Sequence, residues 1–352
     1  MNHPLYAADI DTLLTDSAIP WDALKGKCLV LSGGTGLVGR YLVDAILEAN
    51  TRLGLGCSLY LLCRKPVAAR ALFPESGFLH FIEHDVNNPV PELGIQRAGF
   101  VLHLASNTHP VAYATDPIGT IMTNVTGLKN MLDAAVSINA ERFVFSSSNE
   151  IYGENLDDSE FFSEQSMGFI DCNTLRAGYP ESKRCGEALC QAYRKQLGLE
   201  VVIPRLTRSF GPTMKLTDTK AMSQFLLKGI AGEDIVLKSA GTQFYSFTYA
   251  ADAARGILIA MLKGRDGDAY NIAHETLDIT LRDLASMVAR AAGTRVVYDI
   301  PDSVEAAGFS KATKARLDGS RIISLGWKPH FSLEDGVVRT MSIIKDLWNT
   351  TT

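Results

Sequence analysis

Residues 27–39 read KCLVLSGGTGLVG. The first six form a continuous apolar run of the kind that makes a strand buried on both faces. Four of the next seven residues are glycine, and Leu37, Val38, Tyr41, Leu42, Ala45, Ile46 and Ala49 then recur at the spacing of one helical face. Between a buried strand and an amphipathic helix, glycines permit a tight turn, let the backbone approach a pyrophosphate and let the helix pack closely. The helix N-terminus adds free N–H groups and a partial positive charge. The segment predicts a dinucleotide-binding turn.

Residues 58–63 (SLYLLC), 79–83 (LHFIE), 100–104 (FVLHL), 142–146 (RFVFS) and 201–205 (VVIPR) read as further strands, most of them separated by helical patterns. Strands alternating with helices over about 200 residues predict an α/β, Rossmann-type, doubly wound parallel sheet. A short helical preface occupies 1–25. Beyond Gly211 the pattern loosens into a helix at 220–231, short strands at 235–238 and 243–248, and helices at 251–263, 281–292 and near 333–347. The expected division is a dinucleotide-binding domain over 1–210 plus about 240–275, and a smaller C-terminal substrate-binding lobe made of 211–239 and 276–352.

The 352 residues, 46% of them hydrophobic and 21% charged, are enough to bury a large core, which excludes disordered and coiled-coil readings. A net charge of −5 with no basic run argues against nucleic acid as a partner. No stretch is long and apolar enough to span a bilayer, and the acidic start lacks the pattern of a secretion signal, so a soluble cytoplasmic protein without a membrane partner is expected. The six cysteines show no CxxC pair and the seven histidines neither HxH nor HxxxH spacing. Reduced structural thiols and no metal site follow.

The second strand ends Leu62-Cys63-Arg64-Lys65, with no carboxylate to hold free ribose hydroxyls. Arg64 would tolerate NADP or stack on the adenine. Asp85 and Val86, after the third strand, are candidates for the adenine contact. Farther on, YPESK at 179–183 sets a phenol and an ammonium on one helical face, and a neighbouring cation lowers a phenol's pKa toward that of a general base. Upstream, FSSSNEIYG at 145–153 ends a strand in three hydroxyls.

Together these motifs resemble the extended short-chain dehydrogenase/reductases, in particular the NAD-dependent nucleotide-sugar epimerases, dehydratases and decarboxylases. The resemblance covers nearly the whole chain. It rests on SGGTGLVG (32–39), HDV (84–86), HLAS (103–106), NVTGLKNML (124–132), FSSSNEIYG, YPESK, RLTRSFGP (205–212) and LGWKP (325–329). It implies NAD as cofactor, with NADP open, a nucleotide-sugar substrate and a homodimer. By position, Ser148, Tyr179 and Lys183 would be catalytic, while Gly33, Gly36, Leu37, Val38, Leu104, Ala105, Ser106 and Asn124 would line the cofactor.

Departures from the family pattern fall where substrate is held. Arg208 stands where RxxNxYGP has asparagine, and Tyr245 where an arginine is usual, so Arg208, Lys215 or Lys314 would have to replace a diphosphate clamp. Ser148-Asn149-Glu150 takes the place of Thr-Asp-Glu in the 4,6-dehydratases and Thr-Ser-Glu in the glucuronate decarboxylases. Asn149 has no proton to expel a C6 hydroxyl, whereas Glu150 points to removal of the C5 proton of a transient 4-keto sugar, in a dehydratase- or decarboxylase-like reaction. A simple 4-epimerase and a net NADP-dependent reductase are the alternatives, and a cofactor-sensing regulator is disfavoured because Tyr179 and Lys183 are both present. His103 reads as a core residue, and His109 as a candidate ligand contact.

Overall fold

The computed structural model describes the chain apart from residues 2, 109–112, 114, 156–158, 300–313 and 352. Its strands are β1 (Cys28–Ser32), β2 (Ser58–Cys63), β3 (Leu79–Glu83), β4 (Phe100–His103), β5 (Arg142–Phe145), β6 (Ser147–Ser148), β7 (Val201–Leu206), β8 (Arg208–Phe210), β9 (Ile235–Leu237), β10 (Phe244–Tyr249), β11 (Ala269–Ile272), β12 (Asp278–Thr280), β13 (Val296–Tyr298) and β14 (Lys314–Ala315). The helices are α1 (Pro4–Thr15), α2 (Leu37–Leu53), α3 (Pro66–Arg70), α4 (Pro117–Ser137), α5 (Gly178–Leu197), α6 (Ala221–Ile230), α7 (Ala250–Lys263), α8 (Leu281–Ala292), α9 (Ser320–Ser324) and α10 (Leu333–Thr351).

Among the described residues the main sheet runs β3-β2-β1-β4-β5-β7-β11, with β6 continuing beside β7, and every pairing in it is parallel. This is the doubly wound order, in which the chain reverses direction across the sheet between β1 and β4 and opens a crevice at the strand ends there. Side chains alternate across the sheet. Leu29 and Leu31 of β1 join the core shared with α1, α2 and α7, whereas Val30 joins the core beneath α4 and α5. Burial on both faces is the physical reason the inner strands are uninterrupted apolar runs.

Past β7 the chain bends at Thr207 and leaves the main sheet. The next strand, β8, pairs with β10 in a second sheet that also holds β12 and β14, while β9 pairs with β13. Within 240–275 the chain therefore divides: β10 joins the second sheet, and α7 and β11 return to the main one.

Buried polar groups fasten the N-terminal helix onto this frame. Asp9 of α1, fully buried, accepts hydrogen bonds from Tyr41 (2.7 Å), Tyr249 (2.6 Å) and Arg339 (2.8 Å). Asp16, just beyond the same helix, pairs with the buried Arg255 of α7. A charge at no exposure is tolerated only with such partners.

Candidate active site

The glycine turn shapes a cradle that side chains would fill. Gly33 has φ +80°, and a Cβ there would lie 2.6 Å from both Ala105 N and Leu104 C, so the turn rests on the chain leaving β4. A Cβ on Gly39 would meet Gly33 O at 2.2 Å. No side chain caps α2 at Gly36, which leaves the N–H groups of Leu37 and Val38 for an anion, while Thr213 Oγ1 donates to Leu37 O at 2.6 Å. A dinucleotide pyrophosphate fits this cradle.

Beside it, at the ends of β2 and β3, a cleft of about 400 Å³ is lined by Arg64, Glu83, His84, Asp85 and Asn88. Asp85 accepts from Asn87, and Val86 O accepts from Asn130 Nδ2 of α4 at 2.8 Å, which fixes the HDV turn. The carboxylates missing from the end of β2 are supplied here by β3 and its turn. They face the same space as Arg64, and acidic groups suit free ribose hydroxyls.

A chain of hydrogen bonds links the cofactor side to α5. Ser106 Oγ donates to Asn124 Oδ1 (2.7 Å), Asn124 Nδ2 to Ser182 Oγ (2.9 Å), and Ser182 Oγ to Tyr179 O (2.8 Å). With Asn124 and Ser182 both buried, this chain fixes the first turn of α5, which carries Tyr179.

Tyr179 is buried, and burial holds its phenol well above the ordinary tyrosine value. Glu150 pushes in the same direction, while hydrogen bonds from Ser148 and Ser106 and the charge of Arg176 pull the other way. Lys183 shares the helical face of Tyr179, but its ammonium is engaged elsewhere. Its Nζ donates to Ser146 O at 2.8 Å, lies 4.7 Å from the Phe145 ring centroid, and stays 6.0 Å from that of Tyr179. Burial lowers the lysine itself to about 7.

Ser148 and Asn149 are buried at the end of β6, and the Ser148 hydroxyl accepts from Glu150 N at 3.2 Å. Glu150, on the 3₁₀ turn that follows, forms an ion pair with Arg176 at 2.8 Å. The Arg176 guanidinium lies 4.8 Å over Tyr113, whose ring stacks on Tyr179 at 5.0 Å. Arg208 lies 3.6 Å from the Tyr245 ring centroid, with Nη1 buried and without a hydrogen-bond partner among the described residues and its charge sensing Glu150 and Arg176.

Arg176 and Tyr113 escaped the sequence reading, as did Glu187, which takes Ser147 Oγ (2.6 Å) and Arg205 (2.6 Å) beneath the strand end. Spacing alone held that last signal, since Tyr179, Lys183 and Glu187 fall four apart on α5. Lys215 is exposed. His109 and the side chain of Lys314 lie outside the described residues. His103, fully buried and lowered by burial to about 3, bonds Ser32 Oγ at 2.8 Å as a neutral core residue. Among the described residues no cluster of metal-ligating side chains occurs, and no helix is long and apolar enough to cross a membrane.

Comparison with known proteins places the chain in a family. Two Arabidopsis thaliana proteins are similar along most of their length. UDP-glucuronic acid decarboxylase 3 is 29% identical over 315 residues, covering 88% of this chain and 86% of the relative. UDP-glucuronic acid decarboxylase 1 is 30% identical over 320 residues, covering 89% and 69%. The structure of a UDP-glucuronic acid 4-epimerase from Bacillus cereus, in complex with UDP-glucuronic acid and NAD, shares the fold with a TM-score of 0.77 at 22% identity, over 91% of this chain and 99% of that one. The family model for NAD-dependent epimerases and dehydratases matches residues 29–273, and the chain belongs to that family.

Proposed function

We propose that the protein acts on a nucleotide uronate, oxidising sugar C4, releasing the C6 carboxylate as CO2 and reducing C4 again. The observation that carries this reading is the strand end itself: Asn149, a buried amide with no acid proton, is followed by Glu150, ion-paired to Arg176 beside Tyr179. A 4,6-elimination needs an acid to expel the C6 hydroxyl, and an amide cannot act as one. Decarboxylation needs none, because a ketone at C4 makes the uronate a β-keto acid. The similarity to UDP-glucuronic acid decarboxylases supports the same outcome.

Bound NAD would take a hydride from C4 and return it there, so no cofactor is consumed. The cradle formed by Gly33, Gly36, Leu37, Val38, Leu104, Ala105 and Ser106 holds its pyrophosphate and nicotinamide side, Asn124 braces that wall, and Arg64, Asp85 and Val86 hold the adenosine end. Tyr179 accepts the C4 hydroxyl proton, with Ser148 bonded to the same oxygen, and later gives the proton back. Lys183 orients the nicotinamide ribose, its charge lowering the phenol once both groups share that hydroxyl. Loss of CO2 breaks the C5–C6 bond and leaves its electron pair in a C4–C5 enolate, which takes a proton at C5 from the side of Glu150. Arg208, on Tyr245, receives the diphosphate.

We further infer a homodimer in a reducing, cytoplasmic compartment. Ile118, Ile121 and Met122 present an exposed apolar face on α4, and all six cysteines are free.

The test is incubation with NAD and UDP-glucuronic acid in D2O. The expected products are CO2 and a pentose carrying solvent deuterium at C5. A recovered hexuronate inverted at C4, without deuterium, would replace this reading by 4-epimerisation.

A further inference from the structure

We infer that Arg176 is the receptor for the substrate's carboxylate and that Glu150 competes for it, so that a uronate displaces Glu150 and frees it beside C5. The inference rests on the reading above and assigns a residue to its specificity. Arg176 sits on the 3₁₀ turn Leu175–Ala177, directly before α5, and so is fixed relative to Tyr179.

Its guanidinium has two supports of different kinds. The Tyr113 ring holds it from one face, 4.8 Å from the centroid, without using an N–H donor, and Tyr113 in turn stacks on Tyr179 with 28° between the rings. Glu150 supplies the ion pair, through Nη2 to Oε2 at 2.8 Å, but both side chains are partly exposed, Arg176 at 40% and Glu150 at 26%. An ion pair so placed is weak and open to exchange. A second carboxylate can therefore enter the fork of donors while the aromatic support keeps the guanidinium in place.

The placement of Glu150 favours the exchange. If O4 lies on Tyr179 and Ser148, the C6 carboxylate is two carbons away, and Glu150, whose N–H donates to Ser148 Oγ at 3.2 Å, already carries a carboxylate from that side to Arg176. A C6 hydroxymethyl group carries no charge with which to displace Glu150. The same contact would thus select the substrate and place Glu150 for the C5 proton, a coupling that a fixed ion pair cannot provide.

The experiment compares the affinities of UDP-glucuronic acid and UDP-glucose for the NAD-loaded protein by calorimetry. Arg176→Gln should weaken the uronate by about 10- to 100-fold, the loss expected for charge-assisted hydrogen bonds, and leave UDP-glucose within about threefold. Arg176→Lys should recover part of the discrimination. Glu150→Gln removes the competitor, so the uronate should bind about two- to fivefold more tightly with UDP-glucose unchanged. Equal losses for both sugars in Arg176→Gln would mark a structural role and overturn the inference, as would unaltered or weaker uronate binding in Glu150→Gln. Failure of the wild type to prefer the uronate would overturn it too. Tight, Arg176-dependent uronate binding without CO2 release would instead support the receptor and sink only the decarboxylase reading.

Discussion

Arg208 lies over Tyr245, its guanidinium carbon 3.6 Å from the ring centroid, across the parallel pairing of β8 with β10. Where the resemblance places asparagine on β8 and arginine on β10, this chain has the cation on β8 and an aromatic ring on β10. Because Nη1 is buried and without a hydrogen-bond partner among the described residues, this guanidinium lacks an acceptor there that an anionic ligand can supply. Arg208→Ala should weaken UDP binding by about 10- to 100-fold in calorimetry, and Arg208→Lys should restore little, because an ammonium neither stacks nor forks. Unchanged UDP affinity in the alanine variant would move the diphosphate elsewhere.

The glycine turn offers a comparison inside one protein. Gly54 has φ +64° and nothing within 4 Å of an added Cβ, so Gly54→Ala bears only the left-handed backbone cost of roughly 1–2 kcal/mol. Gly33 has the same backbone sign and also backbone atoms at 2.6 Å, which cannot swing aside as a flexible side chain does. Chemical denaturation should show Gly33→Ala to be the more damaging by at least ~1 kcal/mol, with NAD affinity lost in addition. Equal destabilisation would mean that the turn relaxes away from Leu104 and Ala105.

What the sequence discloses depends on how many neighbours a residue needs in order to be recognised. The inner strands are legible because burial on both faces demands runs such as CLVLS, whereas β12, Asp278–Thr280, is half-buried at every position and carries no period. Tyr179, Lys183 and Ser148 are legible by spacing and strand-end position. Arg176 is not, because its role passes through Tyr113, a ring brought to it from another part of the chain. The spacing of Lys183 discloses that it shares the face of Tyr179, but not that its Nζ donates to Ser146 O, a partner brought to it by the fold.

That buried lysine has a consequence for stability against pH. Its value falls from 10.5 unfolded to about 7 folded, so the unfolded chain binds the extra proton between those limits. The lysine therefore costs stability most below pH ~7, and the cost fades as pH rises toward ~10. Lys183→Met, which fills the space without a charge, should gain in Tm relative to wild type more at pH ~6 than at pH ~10, while turnover is abolished at both. A Tm difference that does not vary with pH would show that the ammonium is solvated in the folded protein.

Glu150→Gln separates the two halves of the proposed reaction. Oxidation of C4 draws on Tyr179, Ser148 and Lys183, all intact in this variant, so mixing it with NAD and UDP-glucuronic acid should still produce the absorbance of reduced nicotinamide. Return of the hydride requires C5 to be protonated first, and an amide at 150 cannot deliver that proton. The reduced cofactor should then persist while deuterium uptake at C5 falls by about 10²- to 10⁴-fold, the usual size of a general acid–base contribution. The same variant binds its uronate more tightly if Arg176 is freed, so tighter binding and stalled turnover are expected together. Turnover within a few-fold of wild type would remove Glu150 from the proton path and leave its pairing with Arg176 as its only role in the cleft.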